Sequence, residues 1–298
     1  MNLPTSFKRK FDFYDCLERS FFFYYPLRSV IASKKAKLVD VFLSYEASNL
    51  LERYAKKKNP SGRIGNRIWF FWYDGIDVAP AVVKKCYASL KSAKDVDIML
   101  IDKSNLYDVC PLPVHITDKF AKGQITIQTL SDIVRNKLIS LYGGFWFDAT
   151  IYLIDKDFIN ERKNLDFYTV RLDAKKTKFF NAGKWCTFLF GGCKNNILAS
   201  FATDFYDWYF KNYDSAFDYF LTDYIYLFGY KHIPEIKRQI DRLDIENEHV
   251  FWLLDHFYEK YDEDKWNYLE RNNHLQKLVW KVKSKNIEGT NLEHFLNF

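Results

Sequence analysis

Asp132 and Arg135 stand three residues apart in the segment Ser131-Asp132-Ile133-Val134-Arg135, and Asp148 ends the aromatic run Phe145-Trp146-Phe147. On a helix, a spacing of three puts the carboxylate and the guanidinium on one face. Together they can offer an acceptor and a planar donor fork to a polyhydroxylated ligand that carries phosphates. A carboxylate at the end of a buried strand, as Asp148 would be, is costly unless a cation or several hydrogen bonds hold it. Gly143-Gly144, between the two, lets the backbone turn tightly and approach a ligand closely. A second polar strand end, Trp72-Tyr73-Asp74, follows the run Arg67-Ile68-Trp69-Phe70-Phe71, and Asp223 lies in an aromatic segment at 218–224.

These residues need elements to place them. The sequence predicts helices over 1–58, a turn in the Lys-rich and Gly/Pro-containing run 56–62, and a buried strand over 67–73. A helix over 80–92 opening on Pro80 and a strand over 97–101 follow. Apolar spacing at Leu130, Ile133, Val134, Leu138 and Ile139 predicts a long helix over 125–142, stopped by the Gly pair. Strands are expected over 145–153, 167–170 and 185–191, and helices from 197 to the end. Alternating strands and helices predict an α/β sheet that binds its ligand beyond the carboxyl ends of the strands. The strand ends with polar groups are 72–74 and 148–150. Neither a G-x-G-x-x-G fingerprint nor a P-loop lysine motif is present, which speaks against a dinucleotide enzyme or an NTPase. Three segments are expected: a basic aromatic helical segment over 1–62, a core over 63–230, and a helical region over 231–298 that closes the site.

Composition narrows the class further. Among 298 residues, 48% are hydrophobic and 28% charged, with only 11 Gly and 7 Pro, so the chain is neither disordered nor linker-rich. Aromatics reach 19%, enough for stiff core surfaces and for ring-stacking platforms alike. The five cysteines are scattered, without a Cys-x-x-Cys pair, which favours reduced thiols in a cytosol-like compartment over disulfides or zinc. No stretch is long and apolar enough to span a bilayer. Residues 1–60 hold twelve Lys/Arg against six Asp/Glu, which accounts for the whole formal net charge of +6. A near-neutral remainder argues against nucleic acid as a partner. The basic residues are interleaved with Phe7, Phe11, Phe13, Phe21, Phe22, Phe23, Tyr24 and Tyr25. Two readings stand for this segment: a helical hairpin that packs its Phe face on the body, or a peripheral contact with an anionic membrane leaflet.

Taken in order, the blocks Ile68-Trp69-Phe70-Phe71-Trp72, Ser131 to Arg135 and Tyr142-Gly143-Gly144-Phe145-Trp146-Phe147-Asp148-Ala149-Thr150 resemble the capsular polysaccharide synthesis proteins. These lie within the GT-A glycosyltransferases related to yeast-type mannosyltransferases and clostridial glucosylating toxins. The resemblance runs from about 68 to 154, resumes at 218–224, and is weak at 277–281. It implies a GT-A-like nucleotide-sugar-binding sheet flanked by helices, with helical N- and C-terminal additions. By the same resemblance Trp72 stacks on the nucleotide base, with Tyr73 and Asp74 beside it, and Trp146 flanks the nucleotide. Asp132 and Arg135 grip ribose and donor sugar, and Asp148 is the first aspartate of a DxD element. Thr150 stands where the second DxD carboxylate belongs, so Mn²⁺ or Mg²⁺ at Asp148 and Thr150 has lost one hard oxygen ligand. Asp223 faces donor sugar or acceptor; His274, Trp280 and Lys281 close over the diphosphate.

The implied activity is hexosyl transfer, with retention, from a nucleotide sugar (UDP-hexose foremost) to a lipid-linked precursor of a surface polysaccharide, at the cytoplasmic face of the membrane. A protein-directed transferase and a non-catalytic partner of another transferase are the alternatives.

Overall fold

The computed structural model describes residues 2–21, 23–175, 177, 180–282 and 286–297. Its centre is a five-stranded mixed sheet of order β2-β1-β3-β6-β5, with β1 at Arg67–Phe71, β2 at Asp97–Ile101, β3 at Gly144–Phe147, β5 at Phe167–Thr169 and β6 at Leu189–Gly192. β1 runs parallel to both β2 and β3, while β6 is antiparallel to β3 and to β5. The α/β class expected from the alternation of elements is the observed one. β4 at Ile151–Leu153 and β7 at Leu275–Lys277 form a separate antiparallel ribbon.

Side-chain alternation along the strands divides the core. Trp69, Phe71 and Trp146 face the layer built by the helices Ile127–Tyr142, Ile197–Asn212 and Leu221–His232. Ile68, Phe70, Phe145 and Phe147 face the opposite layer, with the helix Ala81–Lys91 and the β4/β7 ribbon beyond it. Because strand side chains alternate between faces, a run that is apolar at every position serves both layers at once.

The connection from the long helix into β3 is made by Gly143 at φ +74° and Gly144 at φ +106°. A Cβ on Gly144 would lie 2.8 Å from the Arg67 carbonyl oxygen and 2.9 Å from Trp69 Nε1, so no larger residue lets this helix end so close to β1. The Trp69 indole donates to the Gly143 carbonyl at 2.8 Å, tying the turn to the sheet.

Three sequence expectations are corrected here. The apolar run over 145–153 is two strands in two sheets, because Asp148 to Thr150 turn the chain out of the main sheet; the Ile151 N–H donates to the Asp148 carbonyl at 3.0 Å. Hydrophobic pattern reports burial and not a change of partner strand. The strand over 185–191 shrinks to β6, since Trp185 is buried in the helical layer. Residues after 197 are not uniformly helical: β7 is a three-residue strand specified by pairing with β4, too short for any periodicity to reveal.

Helices Thr5–Ser20 and Tyr25–Glu46 form an N-terminal hairpin against the body. Phe7 and Phe11 are buried, with Phe7 stacked on Phe42 at 4.0 Å and Phe11 edge-on to Phe217 at 5.3 Å. Lys35, only 5% exposed, joins Asp15 at 2.7 Å, Glu18 at 3.4 Å and Asp218 at 3.2 Å. Packing of the Phe face on the body is therefore observed. The hairpin tip is exposed: Phe23 is 97% and Tyr24 62% accessible, and Phe13 projects from the first helix. Phe22 and the side chain of Tyr25 lie outside the described residues. Among the described residues, no helix is long and apolar enough to cross a membrane.

Candidate active site

The carboxyl ends of the adjacent parallel strands β1 and β3 carry Trp72 and Asp148, and the site is built around Asp148. Its Oδ1 accepts from Arg135 Nη2 at 3.0 Å and from Trp146 Nε1 at 2.9 Å. Its Oδ2 accepts from Lys277 Nζ at 3.0 Å, and the same ammonium donates to Thr150 Oγ1 at 2.7 Å. Burial alone would raise the Asp148 carboxyl, but Lys277 and Arg135 outweigh it and hold the group below its ordinary range. The carboxylate is thus anionic at neutral pH and partly open to water.

Arg135 is buried on the inward face of its helix, with Nη1 2.9 Å from Asp132 Oδ1 and its guanidinium over the Trp146 ring. Burial works against this charge, and Asp132 and Asp148 more than compensate, so the guanidinium stays firmly protonated. It orients two carboxylates at once and presents little surface of its own. Asp132 is pushed upward by burial, against the pull of Arg135 and a hydrogen bond from Thr222. The three residues are brought together because i,i+3 spacing aligns Asp132 with Arg135 and the Gly143-Gly144 turn folds β3 back along the helix.

Asp223 lies in the first turn of Leu221–His232, where its Oδ1 accepts from Trp185 Nε1 at 2.8 Å and from Asn181 Nδ2 at 3.3 Å. Burial, helped by the negative charge of Asp132 and opposed by the Trp185 hydrogen bond, raises this carboxyl to about 7. A group poised there exchanges its proton near neutral pH, a property that clusters at functional sites.

The segment after β7 closes the other flank. The Leu278 N–H donates to the Thr150 carbonyl at 2.8 Å, and two residues on, the Trp280 ring meets Trp72 edge-to-face at 5.8 Å. Trp72 and Trp280, far apart in sequence, thus stand together beside the cluster and leave Trp280 42% exposed. Tyr219, exposed at the rim, lies in the field of Asp132 and Asp148.

Tyr73, Asp74 and His274 lie away from the cluster, and Lys281 stays beside Trp280. Tyr73 packs edge-on against Phe120 at 5.5 Å, and Asp74 is exposed and paired with Lys103 at 3.4 Å. His274 stands at the far end of the ribbon from Lys277, its Nδ1 2.7 Å from Asp155. Lys281 is exposed, over the Trp280 ring.

The chain's own fold supplied groups that sequence reasoning passed over. Lys277 lies in the weakly matching block 277–281, and its signal is strand alternation, which puts Lys277, and not Gln276, on the side of Asp148. Trp185 and Asn181 carried no signal, since only the loop between β5 and β6 brings them to Asp223.

Whether Asp148 and Thr150 fit a divalent ion can be asked of their donors. Both Asp148 oxygens and the Thr150 hydroxyl are already engaged, the shared position between them by Lys277. As arranged, they do not fit a metal. Among the described residues, Asp155, Glu161 and His274 bring ligand atoms within 4.8 Å of one another, at the His274 end of the ribbon, away from Asp148.

The charged, partly open cluster lies beyond the carboxyl ends of two parallel strands of an α/β sheet and is flanked by two tryptophans, the place where sheets of this class carry their ligand sites. The sequence profile of the capsular polysaccharide synthesis protein family matches residues 20–296, and the chain belongs to that family. The solved structure of PaToxG glycosyltransferase is similar at 14% identity, over 72% of this chain and 83% of that one, with a TM-score of 0.39. No curated protein sequence matches the chain.

Proposed function

We propose that the protein is a glycosyltransferase of capsular polysaccharide synthesis that takes its hexose from a nucleotide sugar, UDP-hexose foremost. The observation that carries this reading is the Asp148 cluster: one anionic carboxylate, oriented by Arg135 and Trp146 and neutralised by Lys277, beside the Trp72–Trp280 pair. Aromatic faces suit a base, and base–aromatic stacking contributes about 1–3 kcal/mol. Asp132 and Asp148 suit ribose and sugar hydroxyls, since a carboxylate accepts two such hydrogen bonds in a defined geometry.

The transfer breaks the bond from the anomeric carbon to the diphosphate oxygen and forms one from that carbon to an acceptor hydroxyl oxygen. The hydroxyl proton passes to the departing diphosphate, and attack from the leaving-group side retains configuration. Asp223, poised near neutrality, holds a sugar hydroxyl and fixes the ring. Catalysis of this kind rests on positioning and on stabilising charge that develops at the leaving group. The acceptor in this reading is lipid-linked: the hairpin tip, with Phe23 and Tyr24 exposed in a segment rich in basic residues, suits the interface of an anionic leaflet.

Calorimetric titration of the whole chain with UDP, GDP and UDP-sugars tests the donor class, and Asp148→Ala tests the site. Expected are UDP-sugar binding by the wild type and loss of turnover by a folded Asp148→Ala protein. A folded wild-type protein that binds no nucleotide would instead favour a non-catalytic partner of another transferase.

A further inference from the structure

We propose that Lys277 is the resident cation of this site: its ammonium stands in for the divalent ion and meets the donor diphosphate directly. The inference rests on the nucleotide-sugar reading above and concerns what neutralises the leaving group.

The geometry carries it. Lys277 Nζ is 3.0 Å from Asp148 Oδ2 and 2.7 Å from Thr150 Oγ1. Those are the two atoms that the DxD resemblance gives to a metal. A metal needs those oxygens at about 2.0–2.2 Å and would have to displace the ammonium. The other Asp148 oxygen already accepts from Arg135 and Trp146. Lys277 is also held in place by its backbone: it pairs with Ile151 across the ribbon, and its N–H donates to the Val250 carbonyl at 2.7 Å. Its Nζ lies 5.5 Å from the centre of the Phe188 ring, and the side chain keeps 20% of its surface open.

Charge bookkeeping agrees with the distances. Two carboxylates and a divalent ion sum to zero, and so do one carboxylate, one hydroxyl and one ammonium. Threonine at 150 and lysine at 277 are therefore a matched pair: the lost carboxylate removes the need for the second positive charge. An ammonium has three N–H donors. Two point at Asp148 and Thr150, and among the described residues no protein acceptor takes the third, which leaves it for a phosphate oxygen. Lysine serves phosphate as a compact point charge.

The test is calorimetric titration of UDP into wild type, Lys277→Met and Lys277→Arg, each in EDTA and in excess Mn²⁺, with melting curves to establish folding. Methionine keeps an unbranched side chain of similar length and removes the charge. Mn²⁺ alone is followed by electron paramagnetic resonance with wild type and the Thr150→Asp/Lys277→Met double variant. Expected are wild-type affinities for UDP equal within about twofold in EDTA and Mn²⁺ and a loss of about tenfold or more in Lys277→Met. Partial recovery is expected in Lys277→Arg, and in the double variant one Mn²⁺ site that the wild type lacks. Wild-type affinity that collapses in EDTA, or a folded Lys277→Met protein that binds UDP undiminished, would overturn the role of Lys277 while leaving the donor class intact. A folded wild type that binds no nucleoside diphosphate in either condition would overturn the nucleotide-sugar reading, and the role of Lys277 with it.

Discussion

Replacing Asp223 with asparagine should make the protein more stable at alkaline pH and much less active. In the folded chain burial raises this carboxyl from its ordinary 3.8 to about 7, so the folded state binds more protons than the unfolded state between those values. Stability from this group is then fully present below about pH 4 and is lost as pH rises toward and through 7. Each unit between folded and unfolded values is worth about 1.4 kcal/mol, which gives a ceiling of about 4 kcal/mol for the ionised form at pH 8. Asp223 keeps some contact with water, and about 2 kcal/mol is the expected size after screening. Asparagine keeps an Oδ1 that accepts from Trp185 and Asn181, so the packing is retained while the titration is removed. Melting curves from pH 5 to 8 should show the wild type losing stability with rising pH relative to Asp223→Asn. The variant should melt several degrees higher at pH 8, with a gap of about a third of that size at pH 5 that closes only below about pH 4. Turnover of the variant should fall above about pH 7, where the wild-type group is anionic and the amide cannot replace the carboxylate that positions the sugar. Parallel melting profiles across this range would refute the argument that Asp223 is held protonated by its surroundings.

Trp72→Ala should weaken UDP binding by about tenfold or more, the worth of one stacked base, with folding unchanged; undiminished affinity in the calorimeter would remove Trp72 from the nucleotide site. Lys35→Met strips the cation shared by Asp15, Glu18 and Asp218 and should cost about 2–3 kcal/mol, read in denaturant titration; a loss under about 0.5 kcal/mol would show that the hairpin is held by its phenylalanines alone. Phe23→Ser/Tyr24→Ser should abolish pelleting with phosphatidylglycerol vesicles and leave the melting temperature unchanged, since both side chains are exposed; pelleting equal to wild type would end the membrane reading of the hairpin tip.

Much of the site was local enough to read from the chain. The helix over 125–142 and its Gly-Gly stop follow from apolar periodicity and from the freedom of glycine at positive φ, and i,i+3 spacing alone puts Asp132 beside Arg135. Asp148 announced itself as a carboxylate at the end of an apolar run, which requires a partner wherever it folds. The sequence could not say who that partner is. Lys277 reaches Asp148 across 129 positions, and only the β4/β7 pairing register turns it, and not Gln276, toward the carboxylate. Trp280 meets Trp72, and Trp185 meets Asp223, through similar long-range closures. Short strands such as β7 carry no periodicity of their own and exist because a neighbour offers unpaired backbone groups. Local chemistry thus fixed the carboxylates and the arginine. The cation opposite them, and the pKa that their shared burial imposes on Asp223, belong to the tertiary structure, because charge pairing and desolvation act between groups that only folding brings within a few ångströms.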